Sequence, residues 1–472
     1  MAHLEFRFLE TRRGMQPRTA VALKTLAGLL LLSISLPAQA QSGTPSVAVN
    51  WSDVHQTIDG FGASSMYTGN HMTPSQADAF FSPTAGIGLS LLRIEVPANA
   101  ADAQINLCTP AQQATARGAK VWATELSPPA AMKSNDDVDN GGSLLAGSYA
   151  AYATYQSHWV TSFQSTCGVN LYAISVQNEP DQTQSYESSN WSAQNFHDYI
   201  LNNLGPTLHA NNPGVKLIMP EPSNFGTNGA FLDSYANTTL SDAGSAAYVD
   251  IVGFHGYYST MADSSGTYPL PASLGKRLWE TEISDFGTPD SSMTSGLFYA
   301  QVMHNYLTIA QINAYNWWWL INVNNDNEGL TVADSPSDGS ALSFTKRMWV
   351  LGQWSKFVRP GWVRMGATAT PASGVYVSAF KDPVSGDFAI VAVNQNASDQ
   401  PLSFALNGFT ASSVTPWVTS ASLDLAQQPN ISAAGNSFSG TLLASSVTTF
   451  VGSASASSAQ PQPPTNLTAI AR

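Results

Sequence analysis

Between residues 57 and 320, short apolar runs recur eight times, each ending in polar or Gly/Pro-containing sequence. This rhythm limits what the chain can fold into more than any other feature. The runs are Thr57–Gly62, Leu89–Pro97, Lys120–Pro128, Leu171–Pro180, Lys216–Pro222, Asp250–Tyr257, Arg277–Ser284 and Asn313–Leu320. Most of the stretches between them carry helical periodicity. Residues 148–165 place Tyr152, Tyr155 and Trp159 at i, i+3 and i+7. Residues 192–204 align Phe196, Ile200 and Leu204, and residues 295–310 align Phe298, Val302 and Tyr306. Strands alternating with helices predict a parallel sheet. Eight repeats predict a closed (β/α)8 barrel (a TIM barrel) over residues 57–349. An open doubly wound sheet is the alternative, but no Gly-x-Gly-x-x-Gly follows the first run.

After about residue 350 the texture changes. Val375–Phe380, Phe388–Asn394, Leu402–Leu406, Ser413–Thr419 and Ser445–Val451 are short, several rich in Val, Thr or Ser, and several are separated by turn signals such as Asp382-Pro-Val-Ser-Gly386-Asp. Residues 350–452 therefore read as a side β-sandwich. Residues 41–56, with strand character at Ser46–Asn50, are expected to join it. Residues 453–472 read as a Ser/Ala/Pro-rich linker whose Pro463-Pro-Thr-Asn-Leu-Thr-Ala469 looks like the first strand of a further module.

Residues 1–40 read as an export signal. Lys24 precedes the apolar run Leu26–Leu36, and Ala38-Gln-Ala40 offers a cleavage site. The run is too short for a permanent anchor. A secreted protein, extracellular or periplasmic, is expected. The whole chain carries a net charge of −13. Residues 1–40 hold five Lys/Arg and two Glu, a net of +3, so the remainder carries −16. Such a surface repels nucleic acid and anionic membranes, and neither is expected as a partner. Cys108 and Cys167, the only cysteines, could pair in an oxidising compartment, but the sequence does not show them to be close. No His-Glu-x-x-His or comparable cluster is present, so no metal or other cofactor is expected.

Two runs end in carboxylates, at Asn178-Glu179-Pro180 and at Trp279-Glu280-Thr-Glu282, with Glu179 and Glu282 separated by 103 positions. On the run count, Glu179 ends the fourth barrel strand and Glu282 the seventh. Strand ends of this kind face the active site of a barrel. Two carboxyl groups roughly 5–5.5 Å apart are the equipment for hydrolysing a glycosidic bond with retention. Glu280 is the rival to Glu282, since residues two apart on a strand share a face. Glu179 before Pro could instead cap a helix, and Glu282 could belong to a structural ion pair.

With these motifs the chain resembles glycoside hydrolase family 30, within clan A, from about residue 47 to 452. Asn178-Glu179-Pro180 matches the family's acid/base motif and Trp279-Glu-Thr-Glu282 its nucleophile motif. Ser127-Pro-Pro-Ala-Ala-Met132-Lys133, Gly60-Phe-Gly62 and Leu92-Arg93-Ile94 also fit. The resemblance implies Glu179 as general acid/base and Glu282 as nucleophile. It implies Asn178 on the sugar 2-OH, Arg93 holding Glu282 charged and Tyr257 donating to it. His255 is placed between a core histidine and a sugar contact. Trp317, Trp318 or Trp319 would form the sugar platform, at least one of them being plain core. Trp122 is kept as a further sugar-contact candidate.

The resemblance is greatest to the family's xylanase branch, which cuts β-1,4-xylan internally, so a xylan-type polysaccharide is the expected partner of a monomeric enzyme. Members specialised for glucuronoxylan carry Arg just after the aromatic residues of the eighth strand, in a Trp-Trp-Tyr-Ile-Arg-Arg pattern. This chain reads Trp317-Trp-Trp-Leu-Ile321-Asn322-Val-Asn-Asn-Asp326, without the arginine. Xylanase activity independent of glucuronate is the expectation. A β-1,6-glucan or β-1,6-galactan substrate, or a binding protein without catalysis, are the alternatives.

Overall fold

The structure is a computed structural model that describes residues 43–67, 71–100, 102, 107–257, 261–322, 326–333 and 341–455. The expected export segment and most of the expected linker lie outside these residues. Strand β1 (Ser46–Thr57) belongs to the side domain. The barrel follows as β2 (Gly60–Ser64), β3 (Leu91–Val96), β4 (Lys120–Glu125), β5 (Leu171–Ser175), β6 (Lys216–Pro220), β7 (Ile251–His255), β8 (Arg277–Ile283) and β9 (Ala314–Asn322). Each pairs in parallel with the next, and β9 pairs with both β8 and β2, which closes the ring. The eight strands correspond to the eight apolar runs, so β5 is the fourth barrel strand and β8 the seventh.

Alternation along each strand builds two cores. Leu91, Trp122, Ala173, Ile218, Ile251, Trp279 and Ala314 meet inside the ring. Their sizes are complementary, with two indoles, set edge to face at 6.0 Å, against two alanines. Each indole buries about 150–250 Å² and so contributes about 4–6 kcal/mol of gross hydrophobic stabilisation. The neighbours in sequence, such as Leu92, Val121, Ile174 and Leu278, face outward against the helices. Among those helices, Tyr149–Cys167 ends at Gly168 in the left-handed region that favours glycine (φ +64). A disulfide ties its last residue, Cys167, to Cys108 at the start of the helix Cys108–Thr115. The pairing left open by the sequence is thus made.

Beyond β9 the short strands β10 (Gly329–Val332) and β11 (Ser343–Phe344) extend the sheet outside the ring. The helix Lys346–Ser355 then runs across the expected domain boundary at 350. The side sheet comprises β1, β12 (Val363–Ala367), β13 (Val375–Lys381), β14 (Asp387–Asn394), β15 (Gln400–Asn407), β16 (Ser413–Thr419), β17 (Ala426–Gln427), β18 (Ile431–Ser432), β19 (Ser437–Leu442) and β20 (Ser446–Ser453). It is one continuous sheet that curls over its own core, where Phe404 stacks on Phe438 and Phe450 packs tilted against both. Strand β1 joins it, between β12 and β15.

Candidate active site

The barrel ladder continues past the ends of its strands, and the candidate residues sit on this continuation. The Asn178 amide donates to the Glu125 carbonyl (2.7 Å), Glu179 to Glu221 (3.0 Å), and Glu221 to Gly253 (3.0 Å). Glu179 (φ +42) and Glu221 (φ +60) adopt left-handed backbone, which costs a side-chain-bearing residue about 1–3 kcal/mol each. That departure from strand geometry breaks the alternation. Asn178 and Glu179, adjacent in sequence, consequently both reach groups above the barrel axis.

The two candidate carboxylates converge. Oxygens of Glu179 and Glu282 and a ring nitrogen of His255 all lie within 4.8 Å of one another. His255 Nδ1 stands between them, 3.1 Å from Glu179 Oε1 and 3.6 Å from Glu282 Oε1. The Tyr257 hydroxyl donates to Glu282 Oε1 (2.7 Å), and Arg93 Nη1 donates to Glu282 Oε2. Burial pushes the Tyr257 phenol well above its ordinary value, so it remains a donor. Burial also lowers the Arg93 pKa, an effect that the Glu221 carboxylate opposes. Arg93 Nη2 donates to Asn178 Oδ1 (2.8 Å), so Asn178 presents its amide NH2 elsewhere. Gln184 Nε2 lies 3.4 Å from Glu179 Oε2. Among the described residues, Glu179, His255 and Glu282 are the one set that could converge on a cation. A cation there would compete with Arg93, which already neutralises Glu282.

Glu280 is separated from this centre. A register shift lies between Phe254 and His255 where β7 pairs with β8, so Phe254 is opposite Glu280 but His255 is opposite Glu282. The extra residue, Thr281, returns Glu282 to the inner face with His255. Glu280 is fully buried and accepts from the Asn316 amide (3.0 Å), and burial drives its pKa well above the ordinary value. A carboxyl held neutral is a poor nucleophile.

The aromatic candidates divide by the same parity. From Ala314 inside the ring, alternation places Trp318 inward and Trp317 outward. Trp317 is buried in the outer core, its indole donating to the Glu328 carbonyl (2.6 Å), so it packs rather than binds sugar. Trp318 is half-buried, stacks on Trp319 at 5.1 Å, and lies 5.7 Å from the Arg93 guanidinium. Tyr67 stands edge-on to both rings and is 55% exposed, which continues the aromatic wall. Trp122 is fully buried beneath Arg93 (5.2 Å), which corrects its place from sugar contact to floor of the site.

Sequence reasoning missed three groups: Tyr67, Gln184 and Glu221. Only Glu221 left a signal, since Met219-Pro-Glu221-Pro222 ends an apolar run in a carboxylate before proline, as Gln177-Asn-Glu179-Pro180 does.

Residues 88–295 match the glycosyl hydrolase family 30 TIM-barrel domain. The glucuronoxylanase XynC of Bacillus subtilis (strain 168) is 34% identical over 91% of this chain and 98% of its own length. The chain belongs to glycosyl hydrolase family 30. It is a glycosidase whose relatives include xylanases. The crystal structure of a family 30 subfamily 8 xylanase from Clostridium acetobutylicum is similar, at 36% identity with a TM-score of 0.76, covering 86% of this chain and 99% of that one. A family 30 endoxylanase from Clostridium papyrosolvens is 31% identical with a TM-score of 0.73, covering 86% of this chain and all of that one. Both relatives span the barrel and the side sheet, so the family assignment covers the architecture that holds Glu179 and Glu282.

Proposed function

We propose that this glycosidase cleaves β-1,4-xylan internally by double displacement and does not depend on glucuronate side groups. The convergence of Glu179 and Glu282 around His255 Nδ1 carries the mechanistic part. Glu179 gives its proton to the glycosidic oxygen as Glu282 attacks the anomeric carbon, forming a glycosyl ester. Glu179 then takes a proton from water as that water displaces Glu282. The close spacing of the two carboxyl groups favours this route, because inversion needs roughly 6.5–9.5 Å for an intervening water. Tyr257 and Arg93 are placed to hold Glu282 ionised until it attacks. Trp318 offers a flat apolar face to the sugar.

Xylan as substrate is supported by the xylanase relatives. Independence from glucuronate is supported by charge. A cavity of about 500 Å³ opens beside Tyr257, lined among others by Asp285, Phe286, Thr288, Asp290 and Asn327, with no Lys or Arg. Residues 322–333 contain no Lys or Arg either. Glu328 lies among them, its pKa raised to about 7 by burial and by Asp326. A glucuronate carried into this neighbourhood would meet carboxyl groups at the cavity wall, while the Arg347 guanidinium is buried behind them, donating to the Asp290 carbonyl and the Ser295 hydroxyl. We also read residues 1–40 as directing export, and the Cys108–Cys167 disulfide favours an oxidising compartment.

Product profiling tests the reading. Neutral xylan, glucuronoxylan and arabinoxylan should all yield internal cuts, with β-configured products first released, and a chelator should leave the rate unchanged. Cleavage of glucuronoxylan alone, at positions fixed by the acid branch, would refute glucuronate independence.

A further inference from the structure

We infer that Glu221 is a positioning residue for hydrolysis, holding His255 so that one ring nitrogen serves both Glu179 and Glu282; this rests on the two-carboxylate reading above. Glu221 follows β6 and is completely buried. Its Oε2 accepts from the Thr124 hydroxyl (2.6 Å). Its Oε1 faces Arg93 Nη2 at 3.5 Å and His255 Nε2 at 3.9 Å. Each of those two groups reaches the candidate pair with its other end: Arg93 through Nη1 to Glu282, and His255 through Nδ1 to both carboxylates. The Glu221 carbonyl also accepts from the Glu179 amide. One residue therefore stands behind both Arg93 and His255, the two basic side chains that reach the pair.

The reaction explains why such a backing matters. When the glycosyl ester forms, the Glu282 oxygen bonds to the anomeric carbon as the bond to the leaving oxygen breaks, and the Glu179 proton goes to that oxygen. Negative charge leaves Glu282 and appears on Glu179. When water attacks, its proton goes to Glu179, the ester bond breaks, and the charge returns to Glu282. The charge thus moves between two oxygens that both face His255 Nδ1. A donor fixed between them stabilises either state without rearrangement, which is the condition for electrostatic preorganisation. Glu221 Oε1 lies on the opposite side of the ring, 3.9 Å from Nε2, and backs the ring in this orientation.

A double-mutant cycle on the full chain tests this. Glu221→Gln should lower kcat by about 10–100-fold, with KM changed less than about twofold, because the preorganised donor loses its backing while the sugar contacts stay. Its thermal midpoint should fall, since the buried Arg93 guanidinium loses one of its two carboxyl partners. In a His255→Gln background the same substitution should cost less than about fivefold more. Thr124→Val, which removes the hydrogen bond aiming Glu221, should lower kcat in the same direction by a smaller factor, and it carries the test if Glu221→Gln does not fold. A folded Glu221→Gln within about threefold of wild type, or a loss that multiplies in full on His255→Gln, would overturn the inference. The wild-type chain is assayed first on xylans and on β-1,6-glucan. Activity on the glucan alone refutes the substrate proposal and moves the cycle to that glucan, where it still judges Glu221. No hydrolysis of any of them overturns both.

Discussion

Two sets of buried glutamates lie on or just after the barrel strands, and they have different neighbours. Glu179, Glu221 and Glu282 cluster over the axis, where Arg93 and His255 stand among them. Glu125 has no cation acting on it, and Glu280 makes no ion pair, although the Arg93 guanidinium acts on it from a distance. Glu125 sits among Tyr152, Tyr155, Tyr199 and Gln156, and burial raises its pKa well above the ordinary value, as it does for Glu280. Burial alone neutralises a carboxyl group, whereas burial beside a guanidinium and an imidazole can keep one charged. The chemistry of this barrel is therefore decided by which side of a strand a glutamate occupies and by what stands beside it.

Glu280 and Glu282 give the sharpest test of that contrast, because two positions on one strand separate them. Glu282→Gln should reduce hydrolysis by roughly 10⁴-fold or more while binding of xylan oligosaccharides survives. Glu280→Gln replaces a neutral acid by an amide of the same shape and should leave kcat within about threefold. Rates on a soluble xylan, with oligosaccharide binding by calorimetry, decide the matter. A collapse of activity in Glu280→Gln with Glu282→Gln still active would reverse the assignment.

The same parity governs the tryptophans, with a smaller expected effect. Trp318→Ala should lower kcat/KM by about 10–100-fold, mostly through KM, because a sugar face loses its platform. Trp122→Phe and Trp317→Phe remove packing instead, and should cost about 1–3 kcal/mol of stability with a much smaller change in KM. Thermal unfolding and initial rates on the three variants separate the roles. A KM effect in Trp317→Phe as large as in Trp318→Ala would break the division.

The outline of this division was legible in the sequence, and its details were not. The eight apolar runs appear because every barrel strand is buried on both faces, so each leaves a dense apolar signature bounded by polar loops. Glu179 and Glu282 stand out for the same reason, as charge where burial predicts none, although Glu125 and Glu221 at other strand ends carry the same signal. Alternation counted from Ala314 would have separated Trp317 from Trp318 without coordinates. The bulge at Thr281 is different. It turns Glu282 onto the face of His255 while Glu280 faces the β9 ladder, and nothing in Trp279-Glu-Thr-Glu282 announces an extra residue. The left-handed backbone at Glu179 and Glu221 is equally silent, since it is imposed by neighbouring strands through the Glu179–Glu221–Gly253 backbone bonds. Strands β12 and β19 of the side sheet escaped notice because their apolar residues are interrupted, by Arg and Gly in β12 and by Ser, Gly and Thr in β19.

The smallest expected effect concerns the neutral set, and it appears in stability rather than rate. Glu125 holds its proton more tightly in the folded chain than in the unfolded one, where a glutamate titrates near about 4.3. Below that pH both states are protonated, and the stabilisation it contributes is complete. As pH rises, the unfolded chain releases the proton while the folded chain keeps it. Stability then falls by about 1.4 kcal/mol per pH unit for each such carboxyl until the folded state also ionises. Carboxylates with lowered pKa, such as Asp198 and Asp242 beside His197, push in the opposite direction, but they are the same in wild type and in a variant at Glu125. The difference between the two proteins therefore isolates Glu125. Urea unfolding of wild type and Glu125→Gln from pH 4 to 8 should show the variant gaining on wild type steadily as pH rises. Parallel curves would mean that Glu125 is ionised in its tyrosine nest, and that burial without a cation does not suffice to neutralise a glutamate in this barrel.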